Sequence, residues 1–357
     1  MHKIMSRAGL SLAVFILAVS LPAQEAGKVS IPEQVKNSLD GLQKTRTANG
    51  VFQIKYQNAY FWALEKSVYV NVMFTAGLDN DAEGLKAQIK KIYDERIAAE
   101  AKQVEEANKK IKKEADRKKY EPPALAYPEY FHDLYMRVLK GGQVIQEYRS
   151  HMPYDGEATA NYSFGTILEP GDYEVLLDIN RTDNTLDGTQ LFPLQVPALR
   201  FIDITTPQAE LKISAPVFYS EVKQLLQPEA RFTVVKNKYE IGPARQDFYP
   251  WGDRPFRAKD IPTLAFFVLG AAMTQGNEPW NIAASLEIRR GKETAAKFEA
   301  LKLTNPYFFQ PIEFVKRGKD ASTPLPAGEY VLAIQLTDKN QGDKAKGTFE
   351  IPIKIIE

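Results

Sequence analysis

The sequence predicts an all-β protein: two antiparallel β-sandwiches in tandem, the first interrupted by a long charged helix. Three observations point there. One twelve-residue pattern occurs twice, at Leu168–Ile179 and at Leu325–Leu336, with an offset of 157 throughout. Each copy is surrounded by short alternating stretches bounded by glycine turns. Between Thr75 and Tyr130 the pattern changes to a charged run with helical spacing.

Before these elements comes an expected export signal over residues 1–23. His2, Lys3 and Arg7 form a positive start, and an apolar run follows from Ala8 to Leu21. It ends in Ser20-Leu21-Pro22-Ala23, a small-residue site with a turn former. A charge, an apolar helix and an accessible small-residue site are what export and its peptidase require. The run of about 14 residues is short of the roughly 20 that span a bilayer, which sets a cleaved signal ahead of a retained anchor. Ala23 and Ala26 both qualify as cleavage sites.

The whole chain has 357 residues, 46 basic and 45 acidic, and no cysteine. That length allows about two domains. Losing Lys3 and Arg7 leaves 44 basic against 45 acidic residues. Near-zero charge supplies no global attraction to nucleic acid or an anionic membrane. Without cysteine there are no disulfides, thiolate metal sites or cysteine nucleophiles. An exported two-domain chain lacking disulfides fits a bacterial periplasm or exterior better than a eukaryotic secretory route.

Residues 24–49 are read as a short amphipathic helix and a linker. Val35, Leu39 and Leu42 form its stripe, expected to cap the first sandwich.

Residues 50–198 are assigned to the first sandwich and 199–357 to the second. In each repeat a glycine (Gly171, Gly328) is followed by an acid and a tyrosine (Tyr173, Tyr330). Clean alternation follows, at Val175, Leu177, Ile179 and at Leu332, Ile334, Leu336. Period two marks one buried face of a strand. A polar loop and a last alternating strand complete each copy. Upstream lie matching hairpins, turning at Lys140-Gly141-Gly142 and at Arg290-Gly291-Lys292, where glycine supplies the positive φ of tight hairpins. Ser67 to Thr75 and Pro262 to Leu269 are further strand candidates.

The Gly-[Asp/Glu]-Tyr turn before an alternating strand resembles the tyrosine corner of immunoglobulin-like sandwiches, where the hydroxyl ties the turn to the backbone. The cysteine expected two residues later is Val175 or Leu332, so the inter-sheet disulfide is absent. From about Phe232 to Ile355 the chain also resembles the Ig-like modules of exported bacterial proteins, including those that carry a GWxTD domain. Leu325-Pro326-Ala327-Gly328-Glu329-Tyr330 and Leu336-Thr337-Asp338 carry that likeness. The Gly-Trp-x-Thr-Asp motif itself is missing, and the resemblance implies a module rather than an activity.

The charged segment, 81–120, reads as a helical insertion. Asp81 suits an N-cap, and apolar residues recur from Leu85 to Ile111 at spacings of three and four. A continuous helix from Ala82 to Lys119 would be about 57 Å long. The return from Glu121 to Glu129 spans only about 31 Å. The helix must therefore lie along the sandwich, overhang it, or break near its far end. Its tail is basic: Lys109, Lys110, Lys112, Lys113, Arg117, Lys118 and Lys119, against Glu114 and Asp116. That pattern suits a solvated helix end or a docking surface for an anionic partner. The second copy has only a short connection here, from Gly270 to Asn281, so the helix is the expected binding element.

Motifs that would carry chemistry fail on inspection. Asp79-Asn80-Asp81-Ala82-Glu83-Gly84 begins like a calcium loop, but Lys90 stands where a bidentate acid is needed. Asp183, Asp187 and Gly188 fail in the same way at Leu194. His132 and His151 have no second ligand at a metal-site spacing, and neither a nucleophile elbow nor a phosphate loop occurs. No catalytic, cofactor-binding or metal-ligating residue is assigned. Three aromatic clusters remain, Tyr60-Phe61-Trp62, Phe248-Tyr249-Pro250-Trp251 and Tyr307-Phe308-Phe309. They suit core or interface positions first and a sugar-stacking platform second.

The expectation is a non-enzymatic structural or protein-binding module of a bacterial envelope, with a protein or other envelope partner. A carbohydrate-binding protein is the alternative, and a hydrolase using paired carboxylates a weaker one.

Overall fold

A computed structural model describes residues 31–50, 52–78, 82–111, 117, 119–122, 130–153, 159–181, 187–224, 234–241, 246–252, 254–276, 278–317, 322–342 and 344–357. The expected export signal, both cleavage sites, Asp79 to Asp81 and Asp183 lie outside them.

The chain is mostly strand, in antiparallel sheets. Helix α1 (Glu33–Thr45) comes first, then β1 (Phe52–Ala63) and β2 (Val68–Leu78). Helix α2 (Ala82–Lys109) separates these from β3 (Tyr130–Lys140), β4 (Gln143–Pro153), β5 (Thr159–Leu168), β6 (Gly171–Arg181) and β7 (Asp187–Val196). A short helix, α3 (Phe201–Thr205), leads to β8 (Val217–Gln224), β9 (Val235–Lys236), β10 (Tyr239–Ile241) and β11 (Gln246–Pro250). The remaining principal strands are β12 (Thr263–Leu269), β13 (Ile282–Arg290), β14 (Glu293–Lys297), β15 (Tyr307–Pro311), β16 (Gly328–Asp338) and β17 (Lys346–Ile356).

Seven strands of each half are ordered alike. In the first, β1-β2-β5 form one sheet and β4-β3-β6-β7 the other. In the second, β8-β12-β15 and β14-β13-β16-β17 repeat that order. The registers agree too: Val138 pairs Val175 as Ile288 pairs Leu332. Turn chemistry sets the hairpins, with Gly141 and Gly142 at φ 58° and 79° and Gly291 at φ 61°.

The outer face of one sheet explains α1. Tyr135, Leu139 and Leu176 form an apolar patch on β3 and β6, covered by Val35, Leu39 and Leu42. The stripe expected from the sequence thus packs on the first unit. Register places Ser285, Arg289 and Ala333 at the same positions in the second unit, where no helix is needed. Arg137, buried under α1, joins Asp40 at 2.6 Å and Glu147 at 2.7 Å. Arg46 closes the helix in the left-handed region (φ 60°) and pairs with Glu174, whose carboxyl it holds below the usual carboxylate range.

The two halves meet face to face. Every residue of β2 from Val68 to Phe74 is buried, as is every residue of β12 from Leu264 to Val268. On β12, Leu264, Phe266 and Val268 point into the second unit's core, while Ala265 and Phe267 join the first unit's cluster. Trp62 meets Phe248, Phe267 and Tyr307 across this boundary. The chain also crosses it, since β9 pairs with β5 and β11 with β8.

The junction is tied down rather than loose. The Phe201 N–H donates to the Leu64 carbonyl of the first unit at 2.7 Å. The Gly270 N–H donates to the Ile204 carbonyl, and the Gln208 N–H donates to the Gly270 carbonyl. Asp338, wholly buried, accepts from the Ala272 and Asn340 N–H groups and from the Gln341 amide.

Helix α2 is shorter than the sequence suggested. It ends at Lys109, with 28 residues and a length of about 42 Å, not at Lys119. Four i,i+4 ion pairs stabilise it: Lys90–Asp94, Lys91–Glu95, Arg96–Glu100 and Glu105–Lys109. Beyond that point Lys109, Lys110, Lys112 and Lys113 would stack like charges at i,i+3 and i,i+4, which opposes a helix. Tyr120 lies back against α2, its hydroxyl donating to Glu100 Oε2 at 2.8 Å. Of the alternatives left by the return length, the helix breaks near its far end.

Candidate functional site

The repeated turns are equivalent in three dimensions. The Tyr173 hydroxyl donates to the Glu169 carbonyl at 2.8 Å, and the Tyr330 hydroxyl donates to the Pro326 carbonyl at 2.8 Å. Both rings are buried. A cation from the preceding hairpin covers each: Lys140 Nζ lies 5.2 Å from the Tyr173 centroid, and the Arg290 guanidinium 5.8 Å from that of Tyr330. The Lys140 and Arg290 side chains pass over Gly171 and Gly328, and Gly171 takes φ +145°, which favours glycine. These corners shape the ends of the sheets and present no reactive group to solvent.

The basic tail is only partly placed. Lys109, Lys110, Arg117 and Lys119 are exposed, and Lys109 pairs with Glu105. Lys112, Lys113 and Lys118 lie outside the described residues. Because α2 stops at Lys109, the seven cations do not share one helix. On α2 itself, the described side chains from Lys90 to Lys109 are at most half-buried, the half-buried ones falling on a single stripe through Tyr93, Ile97, Ala101 and Val104.

Of the aromatic clusters, Trp62, Phe248 and Phe308 are buried and the other rings are half-buried. Trp62 is 8% exposed and packed against the second unit, so it is no solvent-facing platform. Trp251 donates its ring N–H to the Arg254 carbonyl and carries the Arg254 guanidinium 4.0 Å above its face. Phe308 lies in the second core, stacked on Phe266 at 4.6 Å. Tyr307 sits at the boundary between the units, where burial and the neighbouring Tyr219 push its hydroxyl well above the ordinary tyrosine range.

Strand pairing brings together one group that spacing had concealed. Asp133 stands opposite His151 on adjacent strands. Its buried carboxylate contacts His151 Nδ1 and accepts from Arg149 Nη2 at 2.8 Å. Tyr135 lies beneath, with the Arg149 guanidinium over its ring. The bond to Asp133 holds the Arg149 guanidinium above the ordinary arginine range, which suits a structural ion pair. Among the described residues, no cluster of three or more histidines or acids could hold a metal ion.

A cleft of about 980 Å³ opens where the units join. Its described walls come from β1, the Pro170–Gly171 corner, the stretch from Gln195 to Leu199 and the segment from Ile213 to Tyr219, with Gly252 and Leu269 of β12. Tyr60, Phe61, Pro197, Pro216 and Phe218 give it an aromatic and proline-rich lining. Among the described residues that line it, none is a lysine, arginine, histidine, aspartate or glutamate. No sequence signal marks it, because it forms only when residues about 150 positions apart meet.

No family model matches this chain, and no curated protein does. Among solved structures, the BSP domain of a biofilm-associated protein aligns at 7% identity with a TM-score of 0.15. That alignment covers 85% of this chain and 59% of the other, so the chain spans less than two thirds of that protein. A score of 0.15 carries no argument about fold. No helix among the described residues is long and apolar enough to cross a membrane.

Proposed function

We propose that this chain is an exported, non-enzymatic structural or protein-binding module of a bacterial envelope. In this reading it consists of two Ig-like sandwiches in tandem, and the first carries α2 as its contact element. The residue pattern of 1–23 supports export. The shared strand order and the paired tyrosine corners support the tandem.

The observation that carries the role is the contrast between α2 and everything around it. The sheets bury their apolar faces, and α1 is docked along its whole stripe. From Lys90 to Lys109, α2 keeps its described side chains out of the core. The second unit joins the same two strands by residues 270–281 alone. A rigid scaffold that presents one long element is suited to recognition.

The test is to replace residues 82–120 with a short Gly/Ser linker. The protein should keep its cooperative unfolding and lose capture of its partner from envelope extracts. Aggregation of that variant would make α2 a cover for the sheets instead, and unchanged capture would place binding elsewhere. Charge reversal at Lys109 and Lys110 separates the basic end from the apolar stripe, because only an electrostatic contact loses its salt dependence.

A further inference from the structure

We infer that the cleft between the two units binds a single uncharged, predominantly apolar small molecule. Charge is the first argument. A quarter of the chain's residues are charged, yet none of the described residues lining the cleft is. An ionic ligand would shed its hydration there and gain no counter-charge, so the lining complements a neutral molecule. The volume of about 980 Å³ lies at the upper end of the range for single-ligand pockets.

Hydrogen-bonding capacity separates a small molecule from a peptide. An extended peptide brings a donor and an acceptor per residue, and each must be satisfied once buried. The cleft's polar side chains apart from its tyrosines are Asn58, Gln195 and Ser214. Two of these already accept a bond: Ser214 Oγ from the Phe267 N–H at 2.9 Å, and Asn58 Oδ1 from the Ala59 N–H at 2.8 Å. An apolar ligand needs few such partners.

The walls are held ready. The bond from the Phe201 N–H to Leu64 and those joining Ile204, Gly270 and Gln208 tie the connecting segment to both units. Pro216 leads straight into β8, whose first residues, Val217 to Tyr219, are paired on β12. Little ordering is left to accompany binding, which favours affinity.

Two dyes with one ring system test this on the full mature chain. N-phenyl-1-naphthylamine is neutral, and 8-anilinonaphthalene-1-sulfonate adds a sulfonate. Saturable one-to-one binding of the neutral dye is expected, with the anion weaker by about tenfold or more. Ala198 and Ala215 line the cleft and are exposed, so A198W and A215W should fill it without disturbing the core. Each should weaken the neutral dye by about tenfold or more at unchanged Tm. Equal binding of both dyes, equal binding to both filled variants, or no saturable uptake would overturn the proposal. So would tight binding of an uncharged proline-rich peptide that excludes the dye. Because no described side chain of α2 lines the cleft, the linker variant lacking residues 82–120 should bind the dye normally, which keeps the two readings separable.

Discussion

Trp62 of the first unit stands edge-on to Phe267 of the second, with ring centroids 5.2 Å apart and planes at 78°. Tyr307 approaches the same indole at 4.8 Å and 67°. Edge-to-face contacts of this kind add to the area that the rings bury. The boundary between the units is therefore core-like, and each unit is completed by its neighbour.

Trp62→Ala should accordingly cost about 3–5 kcal/mol, as for other buried large-to-small changes. A single urea transition should move as a whole. Residues 208–357 expressed alone should leave Phe248, Phe267 and Tyr307 uncovered and bind apolar dyes strongly. Two separate transitions in the Trp62 variant, or a fragment as stable as the parent, would contradict a shared core.

Tyr173→Phe and Tyr330→Phe remove one hydroxyl each and leave the ring in place. Each deletes a bond to a carbonyl four residues upstream. The expected loss is about 0.5–1.5 kcal/mol for either variant, with Tyr173→Phe towards the upper end because its hydroxyl also accepts from Lys140 Nζ at 3.5 Å. Chemical denaturation decides this; a large difference between them would mean that the two corners are not equivalent.

These corners were legible in the sequence because turn chemistry and period two are local. Gly171 and Gly328 sit where the backbone must turn, and the alternation after each tyrosine names the buried face. Val35, Leu39 and Leu42 were legible for the same reason, since helical spacing exposes a stripe. The boundary between the units was not. Val68 to Phe74 and Leu264 to Val268 are buried on both faces, which erases alternation and leaves plain apolar runs. Asp133 and His151 are 18 positions apart and become neighbours only through strand register. Helix α2 stops short of its apolar spacing for another reason. The apolar spacing reaches Ile111, and the like-charged lysines around it oppose the helix that the spacing favours.

Arg137 is buried, with only 4% of its side chain exposed, and is held by Asp40 and Glu147. Both acids reach solvent, so neutralising them perturbs little besides the arginine. The double variant D40N/E147Q leaves the buried cation uncompensated and should cost about 3–5 kcal/mol. Restoring an apolar partner set with R137M in the same background should recover much of that loss. Thermal unfolding of the three proteins is sufficient, and a double variant within about 0.5 kcal/mol of the parent would show that α1 is held by its apolar stripe alone.

Tyr307 provides a test at high pH. Its hydroxyl is pushed well above the ordinary range, first by burial and then by Tyr219. In the unfolded chain the same group ionises near pH 10. A group whose folded pKa is raised contributes stability that is complete below the unfolded value and is lost as pH rises towards the folded one. Between those limits the unfolded state releases a proton that the folded state keeps, so stability should fall by about 1.4 kcal/mol per pH unit from this group. Tyr307→Phe cannot ionise and should lack that slope. Below pH 9 the variant should differ from the parent by a constant amount, and above pH 10 the difference should shift in the variant's favour with each step. Urea midpoints taken across this range provide the measurement. Parallel curves throughout would mean that the Tyr307 hydroxyl titrates in the folded protein as it does in water, and that the boundary around Trp62 admits solvent.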